Sequence, residues 1–320
     1  MTAEKKCTYE YCYAPDSPCN LGEEDFTKCP HWKGASDTSE TADNIETRRL
    51  LPWSGNSFGI VDLELVSGRS NPTIIGIVGP HDAGKTTLLA AMYLLISHGR
   101  MPKGRTLAGS YTLGGWENLA NFLRWKGGQA PSFPPHTSSN SGRMPGLLHI
   151  ALRNVDDSLE DVLLTDAPGE WFERWAVNKN AAGLEGARWI SRFASAFMLF
   201  ADSDALSGPQ KGERRTQLIA LAERLGDEAG ARPVAVIWSK SDVEVSEGIR
   251  SALQKKFSKV FRNYHEFSVS VHAVDGGSVT QDTFIYLLAW LLSKKAGIGG
   301  PIPSLPVINS QDPFLAFRGQ

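Results

Sequence analysis

The sequence predicts a three-layer α/β domain on a mostly parallel sheet, with a small Cys-rich module ahead of it. Three observations carry this. Short β-branched runs alternate with amphipathic or apolar helical runs from residue 73 to residue 294, the pattern of successive βαβ units. A glycine-bearing loop, Gly79 to Thr86, stands between one such strand and the helix after it. All four cysteines, Cys7, Cys12, Cys19 and Cys29, fall in the first tenth of the 320 residues.

In chain order, residues 1–33 read as the Cys-rich module and 34–48 (small, polar, acidic) as a linker. Residues 49–298 read as the α/β domain and 299–320, rich in Gly and Pro, as an extended tail. Within the domain, 57–67 alternates well enough for a strand. Residues 73–78 are continuously apolar, as for a strand buried on both faces. Residues 85–97 form a helix. Strands are expected at 147–152 and 161–165 around a turn at 154–158, then at 197–201, 233–238 and 266–271. Helices are expected at 215–225, 246–262 and 280–294. Nearly fifty residues separate the helix at 85–97 from the strand at 147–152. Trp116, Leu119, Phe122 and Leu123 repeat there at helical spacing, so a short amphipathic helix is inserted.

Composition excludes some functions. Apolar residues are 41% and charged residues 21%, the balance of a chain that buries a core. Lys and Arg number 33 against 35 acids, for a net charge of -2, which argues against nucleic acid as a partner. The first residues show no apolar leader and no apolar run approaches the roughly 20 residues of a membrane span. A cytoplasmic protein is expected. In that setting four clustered cysteines suggest a metal more than disulfides. The spacings C-x4-C, C-x6-C and C-x9-C are looser than typical zinc knuckles. Zinc on the four thiolates, with His31 in reserve, and free thiols in a tail both remain open.

The segment Gly79-Pro80-His81-Asp82-Ala83-Gly84-Lys85-Thr86 fits G-x4-G-K-[ST] in the strand–loop–helix context that the motif requires. Backbone N–H groups from Gly79 through Thr87 can wrap a phosphate at a helix N-terminus. Lys85 neutralises phosphate oxygens and the Thr86 hydroxyl ligates Mg²⁺. Downstream, Asp166 ends a strand and can hold Mg²⁺ through water, and Gly169 offers a close backbone N–H. Ser239-Lys240-Ser241-Asp242 follows another strand; the Asp242 carboxylate can accept from guanine N1 and N2, donors that adenine lacks. Ser270-Val271-His272 lies at a third strand end, where a loop N–H can reach guanine O6.

In that order GPHDAGKT, DAPGE, SKSD and SVH resemble the G1, G3, G4 and G5 motifs of the translation-factor class of P-loop GTPases, Ras-like G domains included, over about residues 57–296. The resemblance implies a three-layer P-loop G domain that binds GTP or GDP with Mg²⁺. It assigns phosphate binding to Gly79, Gly84, Lys85 and Thr86, metal and γ-phosphate sensing to Asp166 and Gly169, and base reading to Lys240 and Asp242. Ser239 stands where the family has Asn or Thr, and Ser270-Val271-His272 where it has Ser-Ala-Lys. Thr165-Asp166 with Gly169-Glu170, behind a long first switch (about 100–146), also resembles bacterial double-GTPases of conflict and defence systems.

A Ras-like first switch needs a threonine on Mg²⁺ and the γ-phosphate. Thr137 is the candidate, with Thr112 and Thr106 behind it. Glu170 occupies the place of the water-orienting glutamine, as an aligner, a weak aligner or a surface acid. His81 should obstruct an arginine finger from outside. Asp82 could hold K⁺ beside the phosphates, or simply stabilise its loop. Trp171, Phe172 and Trp175 are an interface or ordinary packing. The basic run Arg250, Lys255, Lys256, Lys259 and Arg262 reads as a solvated helix face.

The expected function is a slow GTPase acting as a switch through a protein effector or partner GTPase, with a nucleotide-stabilised scaffold as the rival class and an ATPase as the third. The Cys-rich module yields its own expectation. Elemental analysis of the purified chain should find about one zinc, and a chelator should loosen residues 1–33; a metal-free chain with four titratable thiols would refute the metal.

Overall fold

The computed structural model describes residues 6–7, 28–33, 56–68, 70–124, 132, 144–271 and 278–294. The first 50 residues separate from the rest as a unit. In it, β1 (Lys6–Cys7) pairs antiparallel with β2 (Trp32–Lys33), setting Cys7 opposite Trp32. Cys29 is a buried free thiol. Cys12, Cys19, the linker and the tail lie outside the described residues.

The second unit is built on β3 (Thr73–Val78), whose six residues are all buried. Seven strands follow the order β4-β5-β6-β3-β7-β8-β9: β4 (Arg105–Gly109), β5 (Gly146–Asn154), β6 (Leu159–Asp166), β7 (Ala196–Asp202), β8 (Val234–Ser239) and β9 (Tyr264–Ser268). From β6 through β9 every neighbouring pair is parallel, and β5 and β4 add antiparallel at one edge. The sheet is therefore mostly parallel, as the alternation predicts. From β3 the chain winds first to β5 and β6 on one side and then to β7, β8 and β9 on the other. That reversal marks the crevice at the carboxyl ends of β3 and β7 as the ligand position.

Two apolar cores flank the sheet. One packs β3, β7 and β8 against α4 (Gly169–Val177), α5 (Glu185–Phe193), α7 (Lys211–Ala229) and α8 (Glu247–Val260). The other packs the opposite face against α2 (Lys85–Ser97), α3 (Leu113–Leu123) and α9 (Ser278–Lys294). Trp171, Phe172 and Trp175 belong to the first core and are nearly wholly buried. Of the two readings of these aromatics, packing is the observed one; the ring of Trp171 lies on Gly186, where a Cβ would sit 2.2 Å from it. Among the described residues no helix is long and apolar enough to cross a membrane.

Two expectations need correction. The segment 57–67 is not a strand. After one bridge from Phe58 to Leu147 it turns into a 3-10 helix, Ile60–Leu63, and a short α1, Glu64–Ser67. The Asp62 carboxylate accepts the Gly59 N–H at 2.7 Å and closes the turn. Leu63 and Val66 then face inward at helical spacing, leaving Val61 and Leu65 exposed. The region 98–146 is not merely a loop with one helix. The helix is there, as α3, but β4 precedes it and extends the sheet.

Residues 110–116 are fastened to β5 through His149. Its backbone carbonyl accepts from Ser110 Oγ at 2.6 Å and Trp116 Nε1 at 2.8 Å, and its backbone N–H donates to Thr112 Oγ1 at 2.8 Å. In its ring, Nδ1 accepts the Tyr111 N–H at 3.0 Å, so Nε2 carries the proton donated to Asp161 Oδ1 at 2.9 Å. The other Asp161 oxygen accepts from Ser70 Oγ at 3.0 Å. Both side chains are buried, so removal of Asp161 takes from His149 Nε2 the acceptor it donates to. Asp161→Ala should cost about 1.5–3 kcal/mol in denaturant unfolding; a loss under about 0.5 kcal/mol would show that the network is not holding the insertion.

Candidate functional site

A cavity of about 720 Å³ opens at the carboxyl ends of the parallel strands, a size suited to a nucleotide-like ligand. It gathers residues from four distant stretches of sequence. The loop after β3 contributes His81 through Thr87, the turn after β6 contributes Ala167, Pro168 and Gly169, the turn after β8 contributes Ser239, Lys240 and Asp242, and the turn after β9 contributes Ser270 and Val271.

The phosphate loop has the backbone its sequence requires. Asp82 and Gly84 adopt positive φ of 61° and 80°, which turns the chain back onto the N-terminus of α2. Gly79 is a packing necessity: a Cβ there would lie 2.7 Å from Phe200 Cβ. Lys85 is buried, and its Nζ donates to the carbonyls of Gly79 at 3.2 Å and Pro80 at 2.7 Å. Burial lowers its pKa to about 8; Asp166, Glu170, Glu173 and Asp82 pull the other way. An ammonium with so little solvent has strong reason to take up phosphate oxygens. Thr86 Oγ1 donates to Asp166 Oδ1 at 3.4 Å. These are hard oxygen donors meeting at the head of α2, a set that fits Mg²⁺.

The third motif closes on the phosphate loop. Asp166 is the last residue of β6, and α4 begins at Gly169. A Cβ on Gly169 would fall 2.3 Å from the His81 nitrogen, so only glycine permits this approach. The His81 N–H donates to Glu173 Oε1 at 3.0 Å, and its Nδ1 lies 3.2 Å from Glu170 Oε1.

In the turn after β8, Lys240 takes φ of 50° and sends its Nζ to Asp202 Oδ2 at 2.8 Å. Asp202, at the end of β7, also caps α6 (Ser203–Ser207) by accepting from Asp204 N at 3.0 Å and Ala205 N at 3.3 Å. Ser270 Oγ donates to Asp242 Oδ1 and holds that carboxylate at the mouth. Ser239 is buried and its hydroxyl faces Ala201 O at 3.5 Å. Its Cβ is 3.9 Å from where a Cβ on Gly84 would lie, so the turn after β8 and the loop after β3 are neighbours.

Thr137 and His272 lie outside the described residues. Thr112 is fully buried on His149, and Thr106 stands on edge strand β4; neither lines the cavity. Among the described residues no cluster of His, Cys, Asp and Glu suited to a metal occurs, and His31 is exposed. Sequence reading missed Asp202 and Asp204, which anchor Lys240, and the apolar wall of Phe200, Val243, Val269 and Phe284. For Asp202 a signal existed, since it is an acid at the end of a buried strand and ahead of a helix. Phe284 carried none, because only folding brings α9 to the cavity.

A family model described as Double-GTPase 2 matches residues 73–291, from the start of β3 into α9. Among solved structures, the chain is similar to Roco2 RocCORdC of Methanosarcina barkeri bound to GDP, with 16% identity, 70% of this chain and 50% of that chain covered, and a TM-score of 0.37. A variant of SsGBP matches with 16% identity, 72% and 60% coverage and a TM-score of 0.35. The ADP-ribosylation-factor-like, small COPII coat GTPase of Encephalitozoon cuniculi in complex with GDP matches with 14% identity, 73% and 85% coverage and a TM-score of 0.33. The chain thus spans 50% and 60% of the first two. No curated protein matches it by sequence.

The burial of Lys85 gives a pH signature. Its pKa is about 8 in the folded chain, against 10.5 for an ordinary lysine. Between these values the unfolded chain binds more protons, so stability rises with pH across that window. Below about pH 8 the full cost of the buried ammonium is present. The nucleotide-free chain should therefore gain on the order of 3 kcal/mol from about pH 8 to 10.5 relative to Lys85→Met. Parallel stability curves for the two proteins would contradict this.

Proposed function

The chain belongs to the Double-GTPase 2 family, and on that footing we propose that it binds GTP and Mg²⁺ and hydrolyses GTP slowly, as a switch read by a protein partner. One observation carries the reading: a single cavity brings the phosphate loop together with a base-reading aspartate, 242, that Ser270 holds in place. Thr86 and Asp166 would hold Mg²⁺, which when bound supplies charge neutralisation between the β- and γ-phosphates. Lys85 exchanges its two carbonyl partners for phosphate oxygens. Gly169 presents its N–H beside the phosphate loop, and Glu170 orients water. Since α4 starts at Gly169 and is bonded to His81 through Glu173, loss of the γ-phosphate would be felt at once by this helix. That supports the switch role.

Hydrolysis should be slow, on the order of 10⁻⁴–10⁻² s⁻¹, the range of unassisted G domains. His81 crowds the γ-phosphate position, and a carboxylate replaces the usual amide.

Denaturing the purified chain and identifying the released nucleotide tests the assignment directly; guanine nucleotide is expected. Asp242→Asn should weaken GTP by about 1–3 kcal/mol, the cost of leaving buried donors unmatched, and leave ATP binding unchanged. Equal affinity of the wild-type chain for ATP and GTP would overturn the guanine reading.

A further inference from the structure

Glu170 and His81 are related in a way that GTP hydrolysis does not by itself require. The two carboxylates of α4, Glu170 and Glu173, are one helical turn apart and both reach His81. Glu173 takes its backbone N–H at 3.0 Å, and Glu170 Oε1 lies 3.2 Å from its ring Nδ1. The contact is an ion-pair approach, and because a carboxylate only accepts, a bond formed here has Nδ1–H as its donor. The ring's other nitrogen, Nε2, is 3.7 Å from Asp82 Oδ2. The second oxygen of Glu170, Oε2, is buried and has no hydrogen-bond partner among the described residues. A buried carboxylate oxygen without a donor is costly and rare in a finished structure. Lys85, in the field of Glu170, has its Nζ on the loop carbonyls. Glu170, next to the cavity-lining Gly169, thus has one oxygen within reach of His81 and a second with no partner among the described residues.

We propose that His81 is a positioning residue for Glu170: its Nδ1–H fixes one carboxylate oxygen and draws off charge, so that the other accepts a hydrogen bond from the water that attacks the γ-phosphorus. This rests on the GTPase reading above. In the step, the water oxygen forms a bond to the γ-phosphorus while the bond from that phosphorus to the β–γ bridging oxygen breaks. The bridging oxygen leaves with GDP, and the water proton passes by way of Glu170 to the phosphate product. No outside co-reactant is needed. The imidazole offsets repulsion between the Glu170 carboxylate and the γ-phosphate, the handicap of a carboxylate at this place. His81 thereby has a reason to stand in a loop where its bulk would block help from outside.

Single-turnover hydrolysis by the full chain loaded with GTP and Mg²⁺, with GTP affinity measured alongside, tests this. His81→Ala should slow hydrolysis about tenfold to hundredfold, the scale of a misplaced reacting group, with GTP affinity within about threefold of wild type. Glu170→Ala should be as slow, and the double variant no slower, because the two act as a unit. His81→Asn, whose amide N–H can occupy the place of Nδ1–H, should recover most of the rate. A wild-type rate in His81→Ala, an Asn variant no faster than Ala, or multiplicative losses in the double variant would overturn the proposal and leave the GTPase reading intact. Equal losses of affinity and rate in His81→Ala would also overturn it, since the residue would then only shape the loop. A wild-type chain that binds GTP without turnover would overturn both together.

Discussion

Everything at the site depends on parallel pairing around β3. Six consecutive buried residues, with β6 and β7 parallel on either side, require the chain to cross back before it lays down each parallel neighbour. The carboxyl ends of β6, β3, β7, β8 and β9 therefore share one edge, and the turns leaving them can converge although some 190 residues separate the first from the last. Gly76 in the middle of β3 shows how little slack there is. A Cβ would meet Ile190, Phe197 and Ala194 at 2.8–2.9 Å, so α5 and β7 press directly on the backbone of the central strand.

The convergent edge concentrates charge. Asp166, Asp202 and Glu170 crowd two lysines, and each lysine finds a different answer. Lys85 is desolvated and turned onto loop carbonyls. Lys240 is paired with Asp202 at 2.8 Å and lies near Asp204 at 3.9 Å, which leaves its aliphatic stem beside the cavity. One cation is held on backbone carbonyls while the other props a wall.

At the opposite side of the sheet, the antiparallel edge follows another logic. His149 and Asp161 place buried polar groups on β5 and β6, and satisfy them with the 110–116 segment and Ser70. Tyr111 stacks on the same ring at 5.0 Å between centroids. The strands leading from the inserted region into the third motif are thus stiffened from one edge, while α4 reaches the phosphate loop from the other end of β6.

The fold class, the phosphate loop and the order of the motifs were legible in the sequence, because each depends on local chemistry: a β-branched run, glycines where φ turns positive, an acid at a strand end. The parallel strands at 73–78 and 197–201 and the helix at 85–97 were placed within a residue or two for that reason. Family membership agrees with the motif resemblance. Other features were not local. Residues 57–67 alternate like a strand but fold as helix, since Asp62 closes a turn that no periodicity reports. Strand β4 is short and exposed, formed only because β5 offers an edge. The fate of Trp171, the anchoring of Lys240 by Asp202, and the grip of Glu170 and Glu173 on His81 join residues some 15 to 90 positions apart. Sequence determined which chemistry was present at each strand end; tertiary packing alone decided which groups touch, because contact distance is set by the sheet and not by position along the chain.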